Sequence, residues 1–231
     1  MSLLTDLPSA ATDTPLDPLS RRRLLGGALR WSLGAGLLPL AAGAQAQYGY
    51  GGKGQAEEPL GNAVRTALSA AVSNGAPPVP VLPTPEMQAQ YGRWFAAMNA
   101  RLQGRMDDDL DRQDFLATVW YESRRAGLEI ALVLGLIQVE SAFRKYAVSS
   151  VGARGYMQVM PFWMRLIGNG DVSLLFRMQT NLRFGCVILR HYIDRENGDL
   201  FMALGRYNGS RGRSAYPDAV FGARQRWIMP A

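Results

Sequence analysis

Between positions 130 and 140 the chain is apolar at almost every step, Ile130-Ala-Leu-Val-Leu-Gly-Leu-Ile-Gln-Val-Glu140, and then turns polar at Ser141-Ala-Phe143. A run of that length with so little polar relief predicts a helix buried on most sides. Over 107–126 apolar positions recur at Leu110, Phe115, Val119 and Tyr121. Asp residues crowd the start of that stretch and Arg124-Arg125 precede Gly127, a charge order that suits a helix dipole. Residues 146–155 are rich in turn formers, and the alternation of β-branched residues around 148–159 predicts a short hairpin or an extended loop. Pro161 is placed to open a helix running to Ile167, with Gly168 closing it. A long helix is expected over 174–195, with Leu182, Cys186, Leu189 and Ile193 on one face, and shorter ones over 200–207 and 217–227. The predicted class is mainly α with a small irregular β-hairpin.

The front of the chain reads as an address. Ser20-Arg-Arg-Arg-Leu-Leu25 precedes a Gly/Ala/Leu-rich apolar stretch over 24–42, and Ala44-Gln-Ala46 follows. A basic segment, a short apolar segment and small residues at a cleavage point describe an export signal. The run is interrupted by Arg30 and Pro39 and is too short and Gly-rich for a comfortable membrane span. Paired arginines followed by Leu-Leu resemble the twin-arginine export signal, with ordinary Sec export as the alternative. The expected organisation is an export signal over 1–46, a flexible Gly/Ala/Pro-rich linker over 47–86 with a short helix at about 60–72, and a compact domain over 87–231. The mature chain is expected in the periplasm, without stable membrane insertion.

Composition narrows the chemistry. The chain has 231 residues, 48% of them hydrophobic, and a formal charge of +6 carried almost wholly by Arg. Such a surface favours a polyanion. Nucleic acid is not the expected partner, because the export signal and the lack of a helix-turn-helix or stacking-aromatic pattern argue against it. Cys186 is the only cysteine and His191 the only histidine. No intrachain disulfide, Cys/His metal cluster or Ser-His-Asp triad is therefore expected, and no metal or cofactor. Cys186 reads as a small core residue, and His191 as an exposed or half-buried helix residue. The Asp107-Asp-Asp-Leu-Asp111 cluster lacks the Gly and distal Glu of a calcium loop and reads as a solvated helix start.

Glu140 is the residue with the most chemical content. A carboxylate at the end of a buried helix meets apolar surroundings and the negative end of the helix dipole, and both disfavour its charged form. A carboxylic acid kept neutral near pH 7 is suited to donating a proton.

The residues that follow carry a resemblance. Glu140-Ser-Ala-Phe143, then Ala147-Val-Ser149, then Gly152-Ala-Arg-Gly155-Tyr-Met-Gln-Val-Met-Pro161 resemble the signature of the Slt-type lytic transglycosylases, lysozyme-like enzymes that cut bacterial peptidoglycan. Asn181-Leu-Arg-Phe-Gly185 and Ala203-Leu-Gly-Arg-Tyr-Asn208 match two further blocks, in order. The chain departs from the pattern at Arg144-Lys145, at Gly209-Ser210 and at Trp163, which bears on fine substrate contacts. The resemblance implies a goose-type lysozyme-like fold and a reaction at the β-1,4 bond between N-acetylmuramic acid and N-acetylglucosamine, closing a 1,6-anhydro ring without water.

By the same resemblance, Glu140 acts as acid and then base, and Tyr207 stands beside it to orient it or steady its charge. Ser149 hydrogen-bonds the substrate near the acetamido group. Met157 and Gln158 line the sugar groove, and Asn208 holds the loop or the sugar. Arg206, Arg211 and Arg213 are placed to hold stem-peptide carboxylates. The implied partner is the peptidoglycan glycan strand. Two rival classes stay open: a muramidase, which needs a second carboxylate for which Asp171 is the nearest downstream candidate, and a glycan-binding accessory factor of an envelope-spanning secretion or pilus machine.

Overall fold

Residues 65–66, 68–69, 78–167 and 170–229 are described by a computed structural model. The expected export signal lies outside them. The chain enters its first helix, α1, at Pro85–Leu102, with Thr84 Oγ1 accepting from Met87 N and Pro85 in the first turn, where its missing N–H costs nothing. Trp94, Met98 and Leu102 give this helix a buried face against α2 (Asp109–Arg125). Leu68, within the stretch read as linker, is also fully buried in the core.

In α2 the expected apolar positions divide. Phe115 and Val119 are buried, whereas Leu110 in the first turn is 72% exposed. The Asp-rich start behaves as a cap, with Asp108 accepting from Asp111 N at 2.7 Å. At the other end, Glu122 is buried and accepts at 2.5 Å from Nε of Arg183 in the later helix Met178–Arg195, fastening the two helices together.

The apolar run forms α3, Ile130–Ser141, with Ala131 through Ile137 all buried. Helix α7 (Ala215–Arg224) crosses it so closely that a Cβ on Gly135 would sit 2.7 Å from the Arg224 backbone nitrogen, and only glycine allows that approach. Trp227 Nε1 donates to Gln138 Oε1 at 3.0 Å, and Arg224 pairs with Glu129 at 2.7 Å. These ties fix the C-terminal end of α7, and the turn that follows it, along the length of α3.

The remaining helices are α4 (Phe162–Ile167), α5 (Met178–Arg195) and α6 (Leu200–Asn208), with 3-10 turns at Val172–Phe176 and Gln225–Trp227. Helix α5 buries Leu182, Cys186, Leu189 and Ile193 as its period requires, and His191 is half-buried. The long helix expected over 174–195 is broken at Arg177, whose extended backbone separates the 3-10 turn from α5. The expected hairpin is not formed either. Among the described residues it reduces to isolated antiparallel bridges, Val148–Arg154 and Arg154–Val159. Gly152, Gly155 and Gln158 all take positive φ, so the backbone doubles back too often to run a ladder. The fold is mainly helical, with an irregular loop where the sequence suggested strands.

Candidate active site

Glu140 is the penultimate residue of α3, half-buried in its last turn. Ala142 and Phe143, immediately after the helix, both take left-handed backbone angles (φ 49° and 65°). For residues with a Cβ this conformation costs about 1–2 kcal/mol each. Phe143 offsets it by burying its ring edge-on against Phe115 and Trp227. The sharp turn ends the helix directly behind the carboxylate.

The hydroxyl of Tyr216, second residue of α7, donates to Glu140 Oε1 at 2.5 Å. Burial raises the Glu140 carboxyl from the ordinary value of 4.5 to about 7, outweighing the Tyr216 bond, which favours the charged form and pulls the other way. A carboxyl raised that far above its ordinary value can hold its proton much closer to neutral pH than an exposed one. It can give a proton and take one back.

The loop after α3 is bonded largely to itself. Ser149 Oγ accepts from Ala153 N at 3.0 Å, and Gln158 Nε2 donates to the carbonyls of Ala147 (3.1 Å) and Gly155 (3.0 Å). Asn181 of α5 holds the loop from the other side: its Oδ1 accepts from Met157 N at 2.8 Å, and its Nδ2 donates to the Arg154 and Leu175 carbonyls, each at 2.8 Å. Four residues on, Gly185 leaves room for the Met157 side chain, where an added Cβ would come within 2.3 Å of Sδ. The Asn181…Gly185 spacing thus places a clamp and a slot on one helix face.

Two expected roles change. Met157 is fully buried against Gly185, so its side chain packs the core rather than forming a groove wall, while its carbonyl accepts from the Tyr207 hydroxyl at 2.7 Å. The phenol hydrogen-bonded to Glu140 belongs to Tyr216, and Tyr207 instead secures the loop through Met157. Tyr207 and Gln158 do share a small cleft with Trp163 and Ile188. Asn208 is buried at the last position of α6, just before Gly209 turns the chain with φ 80°.

Tyr216 had no periodic signal to announce it. The helix expected over 217–227 begins one residue after Tyr216, which leaves Tyr216 in the preceding loop. Pro217 in fact occupies the third helical position, where its missing N–H is equally harmless. The arginines expected to meet stem peptides are also partly committed: Arg206 and Arg211 both hold Glu196, at 2.6 and 2.8 Å, and Arg213 is exposed. Asp171, the candidate second carboxylate, caps the 172–176 turn by accepting from Ser173 N at 2.9 Å and Ser173 Oγ at 2.6 Å.

Comparison with known proteins finds similarity over part of the chain. Residues 118–229 match the family described as Transglycosylase SLT domain. A stretch of 47 residues is 49% identical to the membrane-bound lytic murein transglycosylase C of Glaesserella parasuis serovar 5 (strain SH0165), covering 20% of this chain and 13% of that protein. A stretch of 103 residues is 33% identical to a protein named transglycosylase from Enterobacteria phage PRD1, covering 42% of this chain and 37% of that one. The chain therefore spans well under two thirds of either relative. Among solved structures, an inactive mutant of the lytic transglycosylase Slt from Pseudomonas aeruginosa aligns with 25% identity and a TM-score of 0.39, over 61% of this chain and 27% of that one.

Proposed function

Because the chain carries a domain of the transglycosylase SLT family over residues 118–229, we propose that it is a peptidoglycan lytic transglycosylase with a goose-type lysozyme-like fold, cutting the β-1,4 bond between N-acetylmuramic acid and N-acetylglucosamine. The observation that carries this reading is the Glu140 carboxyl, raised to about 7 by burial and held by the Tyr216 hydroxyl. In the protonated state Glu140 gives its proton to the glycosidic oxygen as the C1–O bond breaks and oxocarbenium character develops at C1. The substrate acetamido group supports that carbon. Glu140, now a carboxylate, takes the proton from the muramoyl 6-hydroxyl, whose oxygen closes on C1 to form the 1,6-anhydro ring. The proton returns to Glu140, and water takes no part.

A hydrolytic muramidase of the inverting or retaining type needs a second carboxylate working with the acid. Asp171 is poorly suited to it, being exposed and held in its charged form by Ser173. The Arg21-Arg22 pair, the apolar stretch behind it and the Ala44-Gln-Ala46 end support twin-arginine export and action in the periplasm, where the proposed substrate lies. Glu140→Gln keeps the shape and the Tyr216 acceptor but cannot deliver an acid proton. That variant is expected to bind purified sacculi and release nothing from them. Undiminished release would remove Glu140 from the chemistry.

A further inference from the structure

Apart from the Glu140 pair, the described residues form a larger cleft of about 400 Å³, within the size range of ligand pockets. Its walls come from the first turns of α2, the stretch just after α3, and the junction of the 172–176 turn with α5. None of Glu140, Tyr216, Ser149, Gln158 or Tyr207 lines it.

Its charges are of both signs. Asp111 and Asp114 supply carboxylates, and Lys145 and Arg177 supply cations. Lys145 and Asp111 stand 4.0 Å apart, an exposed pairing that contributes little in water. Tyr146, 70% exposed, has its ring 5.8 Å from that of Phe176, which gives the cleft an aromatic wall. Gln179 lines the same cleft, is only 3% exposed, and has a side-chain Oε1 without a hydrogen-bond partner among the described residues. A buried amide oxygen left in that state costs about 1–3 kcal/mol, so the site is short of one N–H or O–H donor.

We infer that this cleft is a second binding site, for a short peptide bearing both free carboxylate and free ammonium groups, the chemistry of a peptidoglycan stem peptide. The inference rests on the reading of the chain as a peptidoglycan enzyme. A neutral sugar would cover four charged groups and neutralise none of them, and an anionic lipid or nucleic acid would meet two carboxylates. A zwitterionic peptide places an ammonium by Asp111 and Asp114 and a carboxylate by Lys145 and Arg177. A peptide N–H supplies the donor that Gln179 Oε1 lacks, and the apolar parts of the peptide lie on Tyr146 and Phe176.

The test uses the isotope-labelled full chain with Glu140→Gln, which prevents turnover. It is titrated with a stem tripeptide ending in diaminopimelate and, separately, with neutral chitotetraose. The peptide is expected to shift the Gln179 side-chain amide and the backbone of Lys145 and Tyr146, while chitotetraose leaves them in place. Asp114→Asn and Arg177→Gln, both at exposed positions, are each expected to weaken peptide binding about tenfold, the loss of one charge-assisted hydrogen bond. No shift at Gln179, the same shifts with chitotetraose, or unchanged affinity in both variants would overturn the inference. If the peptide fails to bind while the unmodified chain still releases anhydro products, this inference falls alone. If the peptide binds but no anhydro products form, the proposed reaction falls instead.

Discussion

The hydroxyl of Tyr216 and Oε1 of Glu140, 2.5 Å apart, join the second residue of α7 to the penultimate residue of α3. Everything that brings these helices together, from the Gly135 approach to the Trp227–Gln138 bond, also sets this pair. Two opposing effects meet there. Burial raises the carboxyl and the phenol lowers it, and burial is the larger.

Removing the phenol's contribution has a definite sign. Tyr216→Phe lets the Glu140 value rise further above about 7. The proposed reaction begins with protonated Glu140, so activity falls as pH rises through that value, and in the variant this limb moves to higher pH. Loss of a hydrogen bond to a charged group also lowers kcat about tenfold or more. A pH–rate profile with its limb unmoved would mean that the bond does not act on Glu140.

Glu140 itself lowers stability at high pH. Its folded value, about 7, lies above the ordinary 4.5, so the folded chain binds the proton more tightly than the unfolded one. Its stabilising effect is fully present below 4.5 and is lost as pH rises through about 7. Glu140→Gln, which has no charge to bury and still offers Tyr216 an acceptor, is expected to be about 2–3 kcal/mol more stable than the unmodified chain near pH 8. Near pH 4 the two should differ little. Denaturant titrations at the two pH values decide it.

Asn181 satisfies three backbone groups of the loop and its surroundings at once. Asn181→Ala leaves the Met157 N–H and two carbonyls without that partner, at a cost of about 2–4 kcal/mol. Because Met157 also carries the Tyr207 bond, amide exchange should quicken over residues 154–159 as stability drops. Unchanged exchange there would remove Asn181 from the loop's support.

Glu196 is held at about 2, first by the Arg211 guanidinium hydrogen bond, so its pairing stabilises the fold above about 4.5 and loses that effect as pH falls toward 2. Glu196→Gln should lower the melting temperature at neutral pH, with the gap closing in acid. Arg211 belongs to the segment that leads from α6 into α7, so the same variant is expected to slow the reaction severalfold. A gap of equal size at every pH would show that the ion pair is not its source.

Much of this site could be read in the chain before any coordinates. The apolar run alone is equally compatible with a Glu140 that points into water; the structure shows its carboxyl held by Tyr216 and the cause of its shift. The Asn181…Gly185 spacing was visible, but its purpose needed the loop it clamps. What the sequence did not disclose depends on contacts between distant segments. Nothing around Tyr216 distinguishes it from a loop aromatic until α7 is laid across α3. Met157 reads equally well as groove wall or core filler until Gly185 is set behind it. The 148–159 alternation looked like strand because side-chain pattern says nothing of the positive φ at Gly152, Gly155 and Gln158 that breaks the ladder. The break at Arg177 was hidden for a similar reason, since apolar periodicity runs on through a 3-10 turn.

The account's central claim is that one carboxyl gives and then retakes a proton while the sugar closes on itself. Mass spectrometry of the fragments released from purified sacculi tests it most directly. The predicted products end in 1,6-anhydromuramoyl groups, and Glu140→Gln yields none. Products ending in reducing muramic acid, each heavier by one water, would contradict it.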